Sequence, residues 1–445
     1  MVDKKLKFWN EKIPFLKKLK EFFLKSNHNG INLWPIMAGE SYTYNTFSEK
    51  SRLKRFLMVL KLIFFKENFK LKSEKDKIWA TFFMPRDDHQ ELVAKAIEKF
   101  SKKELLFLNA CEYKKQKALL KGRLTFPDFS LIFKIWKQFK DAKLKKTLQE
   151  NYLFFIARTY QRCKQIDYFT NQIEKYNPKA HIAFCPSAFG EEAVITSIMK
   201  KQKKPTFTLQ HGFFYNSPKN FASQAVVSEN VISDYSLLWG KTSYDHQKKY
   251  LDKSRLILAG NPKYSLKDVR KLKKFAPKTA TFFFSVTGYE ESNASIVKII
   301  NEFAKKYPKI RFNMKIHPFD EIDNYTQYIT QENIKFVGKN VPIKELLETS
   351  DFVILHNTSV TYEALIYRIP MMRFVDKVAE NLWEKVDTFK NLDEFEKLFK
   401  NLENPKKFKD MMRFYDKKFK ANLYFHAKKE PSTVYYEEIM KRIKP

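Results

Sequence analysis

A chain of 445 residues, 44% hydrophobic and 30% charged, is too long for a single core and too apolar for disorder, so two folded domains are expected. Its 84 Lys and Arg against 50 Asp and Glu leave a formal net charge of +34, which attracts polyanions such as nucleic acid, anionic lipid or an acidic substrate without selecting among them. Cys111, Cys163 and Cys185 have no CxxC spacing, which argues against a disulfide framework and a zinc site and suits a reducing cytosol.

Residues 1–75 read as a basic, aromatic, helical segment in which Pro14 interrupts any single helix. There is no secretory pattern, and no run approaches the roughly 18–20 apolar residues of a spanning helix; "FLMVLKLIFF" (56–65) is shorter and carries Lys61. Two readings of this segment stay open. It is either a set of surface helices packed on the core or an interfacial anchor whose aromatic groups enter the headgroup layer while lysines meet anionic lipid. The expected location is the cytoplasm, peripheral on the inner face of the cytoplasmic membrane.

From residue 77 the period changes. "KIWATFFMP" (77–85), "ELLFLNA" (104–110), "AHIAFCPSA" (180–188), "PTFTLQHG" (205–212), "YSLLWG" (235–240) and "RLILAGNP" (255–262) are apolar strands, and helical stretches separate most of them. A basic link, "VRKLKKFAPKTA" (269–280), precedes a second series that begins at "TFFFSVTGYEE" (281–291) and continues with strands at 310–318, 334–338, 351–359 and 369–375 and helices at 292–306, 342–350 and 360–368. Strands alternating with helices predict an α/β protein of two doubly wound, Rossmann-like domains facing a cleft. The expected boundaries are 76–265 for an acceptor domain, 266–400 for a nucleotide-sugar domain, and 401–445 for helices packing back on the first domain.

In open parallel sheets ligands sit at the carboxyl ends of strands. Five such ends carry candidate chemistry. "TLQHG" brings Gln210, His211 and Gly212, with His211 a general base and Gly212 a tight corner. "SAFGEEA" sets Glu191 and Glu192 at a helix start as rival bases, or as ordinary acidic residues at a helix N-terminus. "SVTGYEES" offers Thr287 and Gly288. "KIHPFD" ends in His317 and Pro318, with the imidazole able to donate to a phosphate. "HNTSVTYEAL" supplies Asn357, Thr358 and Ser359 at a helix start, with Glu363 one turn later; the hydroxyls either hold phosphate or cap the helix. "RDDH" (86–89) reads as a solvated turn. P-loop, GxSxG, HExxH and GxGxxG motifs are absent.

Together "TLQHGFF", "SDYSLLWG", "LILAGNPKY", "KIHPFD" and "HNTSVTYEALIYRIP" resemble bacterial GT-B-fold glycosyltransferases of surface polysaccharide synthesis, of the Kdo-transferase and polysialyltransferase kind, with the CDP-glycerol glycerophosphotransferases as neighbours. The resemblance spans roughly 180–375. It implies that His317-Pro318 and Thr358-Ser359 contact the donor phosphate, Glu363 the ribose, and His211-Gly212 the acceptor. It also implies inverting transfer from a nucleotide sugar, CMP-linked by preference, to a glycan or lipid-linked glycan, with no cofactor and no metal. The alternatives are polyol-phosphate transfer and a non-enzymatic polyanion-binding protein; no specific nucleic acid is expected, since no RRM, helix-turn-helix or finger signature occurs.

Overall fold

A computed structural model describes residues 4–42, 52–66, 71, 73–83, 87–109, 123–187, 190–212, 230–265, 270, 275–285, 289–318, 320–379, 383–423 and 429–443. The first part of the chain carries β1 (Asn27–His28), β2 (Ile31–Asn32), β3 (Phe65–Lys66), β4 (Ile78–Phe82), β5 (Leu105–Asn109), β6 (Arg123–Leu124), β7 (Ala180–Ala183), β8 (Thr206–Leu209), β9 (Tyr235–Leu238) and β10 (Leu256–Leu258). The second carries β11 (Thr279–Phe283), β12 (Arg311–Lys315), β13 (Ile334–Val337), β14 (Phe352–Leu355), β15 (Met371–Phe374) and β16 (Thr388–Phe389). Two six-stranded sheets result, ordered β10-β9-β8-β7-β4-β5 and β13-β12-β11-β14-β15-β16, and every pairing in them is parallel.

The sequences explain why both sheets are parallel and covered. All five side chains of β4 are buried, with Ile78, Ala80 and Phe82 in one apolar cluster and Trp79 in another, so each face of the sheet meets a layer of its own. β7, β8, β14 and β15 are likewise buried at every position. Order reverses at one point in each sheet, between β4 and β7 and between β11 and β14, and ligand crevices open at such switch points.

The N-terminal segment packs on this frame. Pro14 does not interrupt the first helix, which runs unbroken over Lys4–Lys25. Proline removes one backbone donor, but Leu16, Leu19 and Phe23 are buried beyond it, and Phe22 and Phe23 pack edge-on against Phe139. Of the two readings of residues 5–25, packing on the core therefore describes the 16–23 stretch. Next comes a hairpin turned by Asn29 and Gly30, both at positive φ, the pairing that a two-residue turn of this hand favours.

Helix Arg52–Phe64 has no buried residue and lies on helix Tyr152–Tyr176. At the other end of the chain, helix Pro405–Asn422 touches helix Val360–Ile366 of the second domain and helix Lys241–Gln247 of the first, and helix Pro431–Ile443 lies on helix Asp87–Ile97 of the first. Gly240 has to be glycine, because a Cβ there would stand 2.4 Å from the Asn422 carbonyl oxygen. Among the described residues no helix is long and apolar enough to cross a membrane.

Candidate functional site at the strand ends

The switch point of the second sheet is bound together by a chain of hydrogen bonds. After β12 the backbone bends at His317, whose carbonyl accepts from Asp320 N at 2.9 Å. The Asp320 carboxylate accepts from the Tyr325 hydroxyl at 2.5 Å, and burial, with Asp320 adding to it, pushes that phenol's pKa up. Asn293 reaches both Tyr325 Oη and the Ser285 carbonyl, while its own oxygen accepts from Ser285 N. Ser285 Oγ meets His356 Nδ1 at 3.2 Å, His356 Nε2 stands 3.3 Å from Asp376 Oδ1, and Ser292 donates to Asp376 Oδ2 at 2.7 Å. Burial alone would raise the Asp376 pKa; His356 and Ser292 outweigh it and hold the carboxyl below its usual range. One buried network thus ties the ends of β11, β12, β14 and β15.

This geometry brings His317 and the 356–359 corner to the same edge. Lys315 and Leu355 both lie opposite Phe283, on either side of β11, so the ends of β12 and β14 are two strand spacings, about 10 Å, apart. His317 is half-buried and Pro318 exposed. Asn357 is anchored by its amide to the Val378 carbonyl at 2.9 Å. Ser359 is exposed and its side chain makes no capping bond; Thr358 Oγ1 instead accepts from Val360 N at 3.3 Å. Glu363 is hydrogen-bonded to Tyr264, whose pKa is driven up by burial and then by the carboxylates of Glu363 and Glu91. That bond crosses from the second domain to the tail of the first. Thr287 and Gly288 lie outside the described residues.

The corresponding end of the first sheet holds a cluster of three rings. His211 follows β8, and its ring centroid is 5.0 Å from Phe184, which follows β7, and 6.3 Å from His89. His89 lies 5.2 Å from Phe184. The "RDDH" stretch is therefore not merely a solvated turn: Asp87 opens helix Asp87–Ile97, and His89 turns toward the strand ends. Gln210 is fully buried, its amide accepting from Trp239 N at 2.7 Å and donating to the Gly212 carbonyl at 2.8 Å, so it shapes the His211 corner rather than lining an open face. Gly212 has neither a positive φ nor, among the described residues, a neighbour within 4 Å of where its Cβ would sit, so its backbone requires no strained turn.

The two glutamates have different environments. Glu191 forms an ion pair with Arg162 at 2.7 Å; burial would raise its pKa, but Arg162 overrides this and holds it at about 2. Glu192 is fully buried with one oxygen accepting from Cys185 N at 2.6 Å, and burial pushes its pKa well up, toward a neutral acid. Among the described residues no group of three or more His, Cys, Asp or Glu is placed to hold a metal ion.

The two strand-end regions meet. Trp239, after β9, packs edge-on against Tyr362 of helix Val360–Ile366 at 5.9 Å. Tyr289 and Val378, from loops after β11 and β15, join the apolar cluster of the first domain, and Tyr289 also stands over His356 at 5.4 Å. His356, Asp376, Asn293 and Tyr325 escaped sequence reasoning, and His89 was passed over as part of a solvated turn. Only His356 carried a signal, as the first polar residue after an apolar strand.

No protein-family model matches the chain, and no curated protein matches its sequence. Solved structures do match its fold. A putative UDP-N-acetylglucosamine 2-epimerase from Listeria monocytogenes has a TM-score of 0.51 at 11% identity, over 82% of this chain and 95% of that one. The lipopolysaccharide outer core galactosyltransferase WaaB in its apo form gives 0.50 at 13%, over 83% and 99%. A further UDP-N-acetylglucosamine 2-epimerase gives 0.50 at 11%, over 83% and 96%. At such identity the likeness is one of fold. The chain has two parallel-sheet α/β domains in the GT-B arrangement of these neighbours.

Proposed function

We propose that this chain is an inverting glycosyltransferase that moves a sugar from a nucleotide-activated donor to a growing bacterial surface glycan, of the Kdo-transferase and polysialyltransferase kind, with a CMP-sugar as the first donor to test. What supports this reading is that His211 follows a strand of the first sheet, His317 and the Thr358-Ser359 corner follow strands of the second, and the strand-end regions of the two sheets touch where Trp239 packs on Tyr362. The acceptor hydroxyl gives its proton to His211 as its oxygen bonds the anomeric carbon. The bond from that carbon to the donor phosphate breaks, and the nucleotide leaves with the electron pair. His317, with the donors at Thr358 and Ser359, stabilises the departing charge. His211 suits the base better than the glutamates, because Glu191 is locked to Arg162 and Glu192 is buried in a state favouring the proton.

Glu363 contributes through Tyr264, an inter-domain bond that a bound ribose would have to share or replace. The same reading seats the protein at the inner face of the cytoplasmic membrane, beside a lipid-linked acceptor. The test is a thermal-shift screen against CMP, CDP, UDP and GDP followed by turnover of the matching nucleotide sugars, since product binding raises the unfolding midpoint by mass action. Midpoint shifts with one nucleotide, and transfer that needs an acceptor, support the reading. No shift with any nucleotide removes the donor site, donor turnover without acceptor points to epimerisation, and turnover of CDP-glycerol points to polyol-phosphate transfer.

A further inference from the structure

Helix Arg52–Phe64 buries nothing completely, yet its sequence is apolar along two stripes. Met58, Val59 and Leu62 pack inward against the first domain's cluster, while Leu53, Phe56 and Leu57 point outward and are each more than half exposed. The spacing of 53, 56 and 57 is that of one helical face. The same pattern recurs next door. Thr125 N donates to the Phe64 carbonyl at 2.9 Å, joining the end of this helix to the segment that leads into helix Phe129–Asp141. On that segment Phe126, Phe129 and Phe133 are again each more than half exposed, and Phe126 and Phe129 stack edge-on at 5.9 Å. Ile135 and Phe139 of the same helix are buried, so the exposed rings are a second face and not a loose core. Both helices rest on helix Tyr152–Tyr176, where Leu153 adds another exposed side chain.

Exposed aromatic side chains on adjoining elements call for a cover. The charge around them indicates which. Residues 52–66 and 123–151 carry twelve Lys and Arg against three Asp and Glu. Of those three acids, Glu150 is paired with Arg55 and Asp128 caps helix Phe129–Asp141. Lys54, Lys134 and Lys137 are exposed between the rings. A second protein would need a matching acidic and apolar face, whereas the headgroup layer of an anionic bilayer supplies both kinds of contact at once: acyl boundary for the rings, phosphate for the ammonium groups.

We infer that Leu53, Phe56, Leu57, Phe126, Phe129 and Phe133, with their flanking lysines, form the face by which the protein rests on an anionic membrane surface. This deepens the membrane part of the proposed function without depending on its chemistry. It also moves the contact from the first basic helix, whose Leu16, Leu19 and Phe23 are buried, to the pair of helices that follow.

The test is vesicle flotation of the full-length protein with phosphatidylcholine vesicles and with phosphatidylcholine–phosphatidylglycerol vesicles. Two variants accompany the wild type: Phe56→Asp/Phe129→Asp/Phe133→Asp and Lys54→Glu/Lys134→Glu/Lys137→Glu. Thermal melts establish that each remains folded, as expected for exposed positions. The wild type is expected to float with the anionic vesicles only, and each variant to lose at least about tenfold in apparent affinity. Wild-type protein that stays unbound, or variants that bind as the wild type does, overturn the inference. So does a concentration-dependent dimer that the Asp variant dissolves, which would assign the face to a second copy of this chain. Nucleotide binding does not enter this assay, so its outcome is separate from that of the donor screen.

Discussion

Replacing Arg162 by methionine tests how the helices of the first domain are held together. Arg162, on helix Tyr152–Tyr176, is only 3% exposed and reaches Glu191 at 2.7 Å and Glu40 at 2.5 Å, so one guanidinium fastens three helices. Glu191 has an ordinary value of 4.5 and is held at about 2. At about 1.4 kcal/mol per pH unit that difference is worth about 3 kcal/mol. Removing one partner of a buried pair costs about 3–5 kcal/mol, in the same range.

The sign follows from the lowered carboxyl. In the wild type the contribution is present above the unfolded pKa and is lost as pH falls through the folded one. In Arg162→Met only Arg158 and a backbone hydrogen bond remain against burial, so the carboxylates lose most of their compensation at neutral pH and accept protons more readily on acidification. Urea unfolding followed by circular dichroism at pH 7 and at pH 4 should show a deficit of about 3 kcal/mol at pH 7 that shrinks at pH 4. A deficit below about 1 kcal/mol at pH 7, or one that does not change with pH, would refute the assignment of Arg162 as the clamp.

Three further outcomes are expected. His211→Ala should lower turnover by about a hundredfold or more while leaving the nucleotide-induced midpoint shift intact, whereas Glu191→Gln should disturb stability first; the comparison is made by kinetics beside thermal melts. Glu192→Gln keeps an acceptor for Cys185 N. The raised carboxyl stabilises the fold below its unfolded pKa and loses that contribution as pH rises through the folded value, so the variant's stability should fall less on the alkaline side in a pH series of urea titrations. Gly190→Ala places a Cβ 2.4 Å from the Arg162 guanidinium and should cost about 1–3 kcal/mol in the same titrations, with Arg162→Met partly relieving the clash in the double variant.

Much of the frame was legible because parallel strands buried on both faces read as short apolar runs. "AHIA", "TFTL" and "FVIL" are strands at the expected positions, and after the second and third the next residue, Gln210 and His356, is polar. His211, His317 and the 357–359 corner were singled out as candidates in that way. The network behind them was not, since Asn293, Asp320, Tyr325, His356 and Asp376 are joined only by the fold, and apart from His356, the first polar residue after an apolar strand, none stands in a local pattern that distinguishes it from an ordinary surface polar group. Gly212 was misread in mechanism, because a glycine after a strand suggests a strained turn when its backbone here needs none. Pro14 was misread too, because local propensity says nothing of the burial that carries a helix through it. The outward face of 52–64 could be heard in the composition, but which of the two stripes meets water depends on where helix Tyr152–Tyr176 lies.

The last two helices decide how the protein can be cut. The polypeptide passes between its halves twice, once near residue 260 and again beyond residue 405, and the closing helix sets Tyr435 against the Gly260 carbonyl and Tyr436 against Glu104. A fragment ending near residue 265 would therefore expose the surface of the first half that residues 431–443 cover. Dissection of this enzyme fold into separately expressed lobes needs a permuted chain, in which the terminal helix travels with the sheet it covers.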